Sequence, residues 1–163
     1  MIDMTTQYMG LELKSPIVVG ASPIGHDPDR ALACQQAGAG AVVMYSLFEE
    51  QIVHASMELD HYLERGTGVF AEAVDYLPEM DVYKDVGPEG YLEALKNLKS
   101  KLSIPVIGSI NGMSIGGWLD YAKQIEAAGA DALELNLYRV GARVDEGSQS
   151  IEDDQVALVE AVR

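Results

Sequence analysis

Basic residues are scarce in this chain. Lys and Arg total 11 against 26 Asp and Glu, for a formal net charge of −15. Phosphate contacts need clustered Lys and Arg, so nucleic acid is not expected as a partner. An anionic membrane surface is disfavoured for the same reason. Cysteine is scarcer still. Cys34 stands alone, which excludes an internal disulfide and any cysteine-based metal centre. Its setting, ALACQQAG, reads as a small core residue on an apolar helical stretch rather than a reactive thiol. His26, His54 and His61 show no metal-ligand spacing with one another, and no metal site is expected. No run approaches the roughly 18 apolar residues of a membrane-spanning helix. The start, MIDMTTQYMG, lacks the basic and apolar regions of a leader, so a cytoplasmic location is expected. Also missing are G-x-G-x-x-G and the Walker pattern. The first long apolar run is followed by GASPIGHD instead, which lowers the case for an open nucleotide-binding sheet.

What is present is a folding chain with a regular plan. Its 163 residues are 48 % hydrophobic and 23 % charged, the composition of one globular domain. Tyr8–Lys14 alternates around Gly10 and predicts a short hairpin. Four continuous apolar runs predict buried parallel strands: PIVVGAS over 16–22, AVVMYS over 41–46, IPVIGSI over 104–110 and DALELNL over 131–137. Helices are expected between them. The first has Asp27 as N-cap, Pro28 at its first position and Gly38 at its end. The second carries leucines at 92, 95, 98 and 102 on one face, and the third runs over about 116–128 to Gly129. A last helix is expected near Ser150, with that serine as N-cap. Between the second strand and the second helix lies a long acidic stretch, about 47–88, that is either a functional lid or a solvated insertion.

The two halves echo each other. PIVVGAS resembles PVIGSI, and Ala37-Gly38-Ala39 resembles Ala128-Gly129-Ala130, at separations of 89 and 91 residues. Repeated strand–helix–Ala-Gly-Ala–strand units fit an α/β fold of the TIM (β/α)8 barrel family, with about four β/α units, half a barrel, present in this chain. A small open four-stranded sheet is the other arrangement such units can make.

In a barrel, function gathers at the carboxyl ends of the strands. Those ends are Gly20-Ala21-Ser22-Pro23, Tyr45-Ser46-Leu47-Phe48-Glu49, Ser109-Ile110-Asn111-Gly112 and Glu134-Leu135-Asn136-Leu137-Tyr138. Small residues at the first end let a planar ligand lie against backbone. Ser46, Ser109, Asn111 and Asn136 are neutral groups able to read the edge of a heterocycle. No His, Cys or Lys sits there as an obvious nucleophile or base, so the expected site binds and orients while a cofactor does the chemistry. Asn111 in an Asn-Gly pair also suits a plain turn, and Asn136 also suits a cap. Glu134 reads as a structural carboxylate as readily as a site residue.

PIVVGASP, AVVMYSLFEEQI, IPVIGSINGMS and GGWLDYAKQIEAAGADALELN, in that order, resemble the amino-terminal half of a dihydroorotate dehydrogenase-like flavoprotein. The resemblance covers most of the chain, including the acidic stretch. It implies an FMN-binding barrel of which residues 1–163 are the amino-terminal half. It implies a flavin-dependent oxidoreductase acting on a C–C bond next to a carbonyl, dihydroorotate to orotate or a related substrate of pyrimidine biosynthesis. By position, Ala21, Ser22, Ser46, Ser109 and Asn136 would meet the cofactor, and Asn111 and Asn136 the substrate. No catalytic residue is assigned. The family's flavin-contacting lysine falls on Tyr45, and its Ser-Cys-Pro-Asn run is replaced by Tyr138, Arg139, Val140 and Gly141. The expected partners are a small-molecule substrate and either a second copy or the carboxyl-terminal half. The non-enzymatic alternative is a self-associating half-barrel that binds or scaffolds. A flavin-free barrel lyase or synthase is a third.

Overall fold

A computed structural model describes residues 3–50, 88–112, 114–138 and 141–163. Most of the acidic stretch expected over 47–88, with His54 and His61, lies outside the described residues. The chain opens with β1 (Thr6–Tyr8) and β2 (Leu11–Leu13), an antiparallel hairpin. Its two-residue turn has both Met9 (φ 51°) and Gly10 (φ 77°) in the left-handed region, the twist that matches flanking strands. Then come β3 (Val18–Val19), a 3-10 turn (Pro23–His26), α1 (Pro28–Gln36), β4 (Ala41–Phe48), α2 (Pro88–Lys101), β5 (Val106–Asn111), α3 (Ile115–Ala127), β6 (Ala132–Leu135) and α4 (Ser148–Val162). The last four strands form one parallel sheet in sequence order, β3-β4-β5-β6.

The helix ends follow from local chemistry. Asp27 caps α1 by accepting from the Asp29 and Arg30 amides at 3.0 and 3.2 Å. Both α1 and α3 end in the same way. Gly38 (φ 105°) and Gly129 (φ 97°) turn the chain back, and the next amide reaches the carbonyl five residues earlier, Ala39 to Cys34 and Ala130 to Ile125. A side chain at either glycine would oppose that backbone, which is why the Ala-Gly-Ala signature recurs.

Two expectations are corrected. The first strand pairs over Val18–Val19 only, not over 16–22. Pro16 offers no amide to a ladder, and Ile17 is exposed. The last helix begins at Ser148, with Gly147 as N-cap and no side-chain cap bond, so Ser150 lies inside it.

The sheet is dressed differently on its two faces. On one, Val42, Met44, Leu47, Val106 and Ile110 pack with Ala31 of α1, Tyr91, Leu95 and Leu98 of α2, and Trp118 and Ile125 of α3. Cys34 is half-buried at the margin of this core. On the other face Ala41, Val43 and Ile107 pack with Leu13 of the hairpin, flanked by Leu11, Val18 and Ala132. All the helices of the core therefore lie on one side, and the hairpin lies on the other.

Asp131 ties β5 to α2. Its Oδ2 accepts from the buried Val106 amide at 2.7 Å and from Lys99 Nζ at 2.6 Å. Asp131→Ala strips the Val106 amide of its partner and removes the tie to Lys99. A loss of about 1–3 kcal/mol is expected, read as a lowered urea midpoint at unchanged slope.

Candidate functional site

The site is built on the hairpin face, at the carboxyl ends of the strands. A register shift in β4 creates it. Val43 pairs with Ile107, but the next aligned pair is Ser46 with Ser109, so β4 carries one residue more than β5 between them. The extra residue breaks the alternation. Met44 and Tyr45 both belong to the helix face, and Ser46 emerges beside Ser109. The gap in the ladder is filled from α2. Tyr91 Oη accepts from the Ser109 amide at 2.8 Å and donates to the Ser109 carbonyl at 3.1 Å. Burial, foremost, pushes the Tyr91 phenol well above its ordinary value, against the lowering pull of the Ser109 hydrogen bond and with smaller upward contributions from Tyr45 and Glu134.

Around Ser109 four side chains from three strands meet. Ser109 Oγ donates to Glu134 Oε1 at 2.7 Å and lies 2.9 Å from Ser46 Oγ. Asn136 Nδ2 reaches Ser109 Oγ at 2.9 Å, Ser46 Oγ and the Ile110 carbonyl at 3.3 Å each, and Glu134 Oε1 at 3.4 Å. Ser109 is fully buried, while Ser46, Glu134 and Asn136 are half-buried. Glu134, Gly20, Val18, Val43 and Ile107 line a cavity of about 630 Å³ on this face.

Ser46, Ser109 and Asn136 are thus brought into one network. Asn111 stands at the end of β5, aligned with Phe48, and Ser22 opens the 3-10 turn with Ala21 exposed before it; none of these three is joined to the network by a hydrogen bond. The Ser22 hydroxyl is buried and has no hydrogen-bond partner among the described residues. Tyr45, where the sequence resemblance leads one to expect a flavin-contacting lysine, turns away from the site. Its ring stacks on His26 at 3.5 Å and meets Tyr91 edge-on.

Tyr91 and Glu49 escape sequence reasoning, which leaves Glu134 open between a structural carboxylate and a site residue. Tyr91 precedes the leucine row that marks its helix, Glu49 acts across the fold, and Glu134 acquires its role through contact with a neighbouring strand. Glu49 is 9 % exposed and accepts from the amide and hydroxyl of Ser114, the N-cap of α3, at 3.0 and 2.7 Å. A side chain on Gly117 would run into that carboxylate, so the glycine keeps its place open. Among the described residues no group of three His, Cys, Asp or Glu is placed to hold a metal ion. None of the described helices is long and apolar enough to cross a membrane.

No family model matches the chain. It is similar to the NAD-dependent dihydropyrimidine dehydrogenase subunit PreA of Escherichia coli K12, 26 % identical over 136 residues, covering 83 % of this chain and 32 % of that protein. It is also similar to the catalytic subunit of dihydroorotate dehydrogenase B (NAD(+)) of Methanosarcina acetivorans, 30 % identical over 154 residues, covering 94 % of this chain and 45 % of that protein. The chain therefore spans about a third to under half the length of these relatives. Among solved structures, a phosphonopyruvate hydrolase in complex with oxalate and Mg++ is 22 % identical with a TM-score of 0.49, covering 91 % of this chain and 44 % of that chain.

Proposed function

We propose that residues 1–163 form the amino-terminal half of an FMN-binding (β/α)8 barrel, with an acidic insertion at about 47–88, in a flavin-dependent oxidoreductase of the dihydroorotate dehydrogenase type. Its reaction would be oxidation or reduction of a C–C bond next to a carbonyl in a small cyclic substrate of pyrimidine metabolism. The distant relatives are oxidoreductases of that kind by name. The observation that carries the reading is the neutral network of Ser46, Ser109 and Asn136 on the helix-free face. A doubly wound sheet carries helices on both faces. Here, among the described residues, one face holds only a hairpin and a polar layer, as the inner face of a barrel would.

The residues present fit the ring of FMN. Ser22 offers a buried hydroxyl with no hydrogen-bond partner among the described residues, and small residues at Gly20 and Ala21 leave room for a plane against backbone. Ser46 and Asn136, both half-buried, supply neutral hydrogen-bonding groups at its polar edge, and Ser109, fully buried, stands behind them and holds them in place. Asn111 and Asn136 stand where a substrate would be read. None of these side chains is cationic, so the phosphate would be held by other parts of the protein. When bound, FMN would supply the hydride exchange; the chain's own residues bind and orient. The full-length protein should purify with flavin absorption bands in the visible, or gain them when FMN is added. A colourless protein that takes up no FMN would overturn the reading.

A second reading has its own observation. An apolar groove of about 820 Å³ runs beside β6, lined in part by Leu119, Ile125, Leu133, Leu135, Val159 and Val162. In a self-associating scaffold without catalysis this groove would bind a second copy. Light scattering on the 163-residue chain would then give a dimer, and a stable monomer would count against it.

A further inference from the structure

The hydrogen bonds around Ser109 run in only one consistent direction. Ser109 has a single hydroxyl proton, and the short 2.7 Å contact commits it to the Glu134 carboxylate. Either serine could donate in the 2.9 Å Ser46–Ser109 contact taken alone. With the Ser109 proton spent, Ser46 must be the donor. The Ser109 oxygen then takes its second hydrogen from Asn136 Nδ2. The other groups facing the Asn136 amide are the Ser46 hydroxyl and the Ile110 carbonyl at 3.3 Å each and Glu134 Oε1 at 3.4 Å; the last two are acceptors, and the Ser46 proton is already given to Ser109, which leaves only its lone pairs for the amide. An amide oxygen turned toward this set would face acceptors alone. The nitrogen must point inward, and the oxygen, Oδ1, is kept out of the network.

We infer that Glu134 is a positioning residue, one that fixes the proton order of the Ser46–Ser109–Asn136 network and so presents the Asn136 side-chain oxygen as an acceptor to the bound ring. The inference rests on the flavin reading for the identity of that ring. It adds that the edge met by Asn136 carries a hydrogen-bond donor, such as a ring N–H. Glu134 itself need touch no ligand. Its role is to be an acceptor at one spot, so an uncharged acceptor should serve.

The test is a cycle of variants in the full-length protein, each checked for folding by circular dichroism and titrated with FMN by fluorescence quenching. Glu134→Leu keeps the size and removes the acceptor; it frees the Ser109 proton and lets the Asn136 amide turn over. It should weaken FMN binding about tenfold. Glu134→Gln retains an oxygen for Ser109 and should stay within about threefold of wild type. Glu134→Leu combined with Asn136→Ala should bind no more weakly than Asn136→Ala alone, because the first acts through the second. Losses that multiply would overturn the inference, as would wild-type affinity in Glu134→Leu. Asn136→Asp sets a carboxylate against the same acceptors. It should lose about as much, and it carries the test if Glu134→Leu does not fold; unimpaired binding there would sink the idea equally. If wild type takes up no FMN, the flavin reading fails on its own account. Thermal melting of the Glu134→Leu and Asn136→Ala cycle then decides the proton order: overlapping losses support it, additive losses refute it.

Discussion

Gly40→Ala should cost the protein about 3 kcal/mol or more of stability, the largest loss expected of any single methyl group added to it. Gly40 lies between α1 and β4, where the chain passes beneath the segment that leads into β3. Its amide donates to the Ile17 carbonyl at 2.8 Å. A Cβ there would overlap the backbone carbonyl of Ser15. That oxygen cannot swing aside as a side chain would, because Ser15 is itself buried and its Oγ accepts from the Ile17 amide. The backbone must move, and the motion falls on β3, the shortest strand of the sheet, which pairs only over Val18 and Val19. The check is a urea titration followed by tryptophan fluorescence. A midpoint within error of wild type would mean that the approach of the two backbones is looser than the structure has it. Because β3 leads directly to Ala21 and Ser22, the flavin binding proposed above should fall with stability.

Tyr91→Phe should cost about 3 kcal/mol, since two buried backbone groups lose their partner at once. The Ser109 amide and carbonyl both depend on the Tyr91 hydroxyl, at the one point where the β4–β5 register slips. The ring itself can stay, so the loss measures the two hydrogen bonds rather than a cavity. The same residue sets an alkaline signature. Burial raises the Tyr91 phenol, so above about pH 10 the unfolded chain releases a proton that the folded chain still holds. Stability conferred by the neutral phenol is complete below that pH and is lost as pH rises beyond it. Denaturation midpoints measured from pH 8 to 11 should fall for wild type and fall less steeply for Tyr91→Phe. Equal slopes would show that Tyr91 ionises alike in both states. Tyr121 also has its phenol raised, by burial first and then by Glu49, Glu89 and Asp120, so a residual slope is expected in the variant.

Much of the frame is legible in the residues. Asp27-Pro28 starts a helix because one side chain caps it and the other has no amide to waste. The Ala-Gly-Ala ends of α1 and α3 read correctly because only glycine takes that turn without strain. The strands of the parallel sheet read as continuous apolar runs, and their ends point to Ser46, Ser109, Asn111 and Asn136 as neutral hydrogen-bonding groups, of which the network joins all but Asn111. The bulge does not read. AVVMYSLF has no alternation in which an extra residue could show, so nothing in it reveals that Met44 and Tyr45 share one face. That is why Tyr45, where the resemblance implies a flavin contact, belongs instead to the aromatic cluster beneath the helices. Glu134 and Glu49 depend on contacts between residues far apart in the chain, which spacing alone cannot supply. Ser150 looks like a cap, yet α4 starts two residues earlier on a glycine that offers no side chain for the purpose.

The hairpin that opens the chain has one more effect. Leu11 and Leu13 sit against Ala41, Val43 and Ile107 at the amino ends of the strands, below the layer that holds Ser109 and Glu134. Leu13 also lines the cavity of about 630 Å³ that reaches Glu134, and Thr6, Gln7 and Tyr8 form more of its wall. The hairpin thus shapes the space in front of Glu134, and a change of size at Leu13 would alter that space without breaking a single hydrogen bond of the parallel ladder.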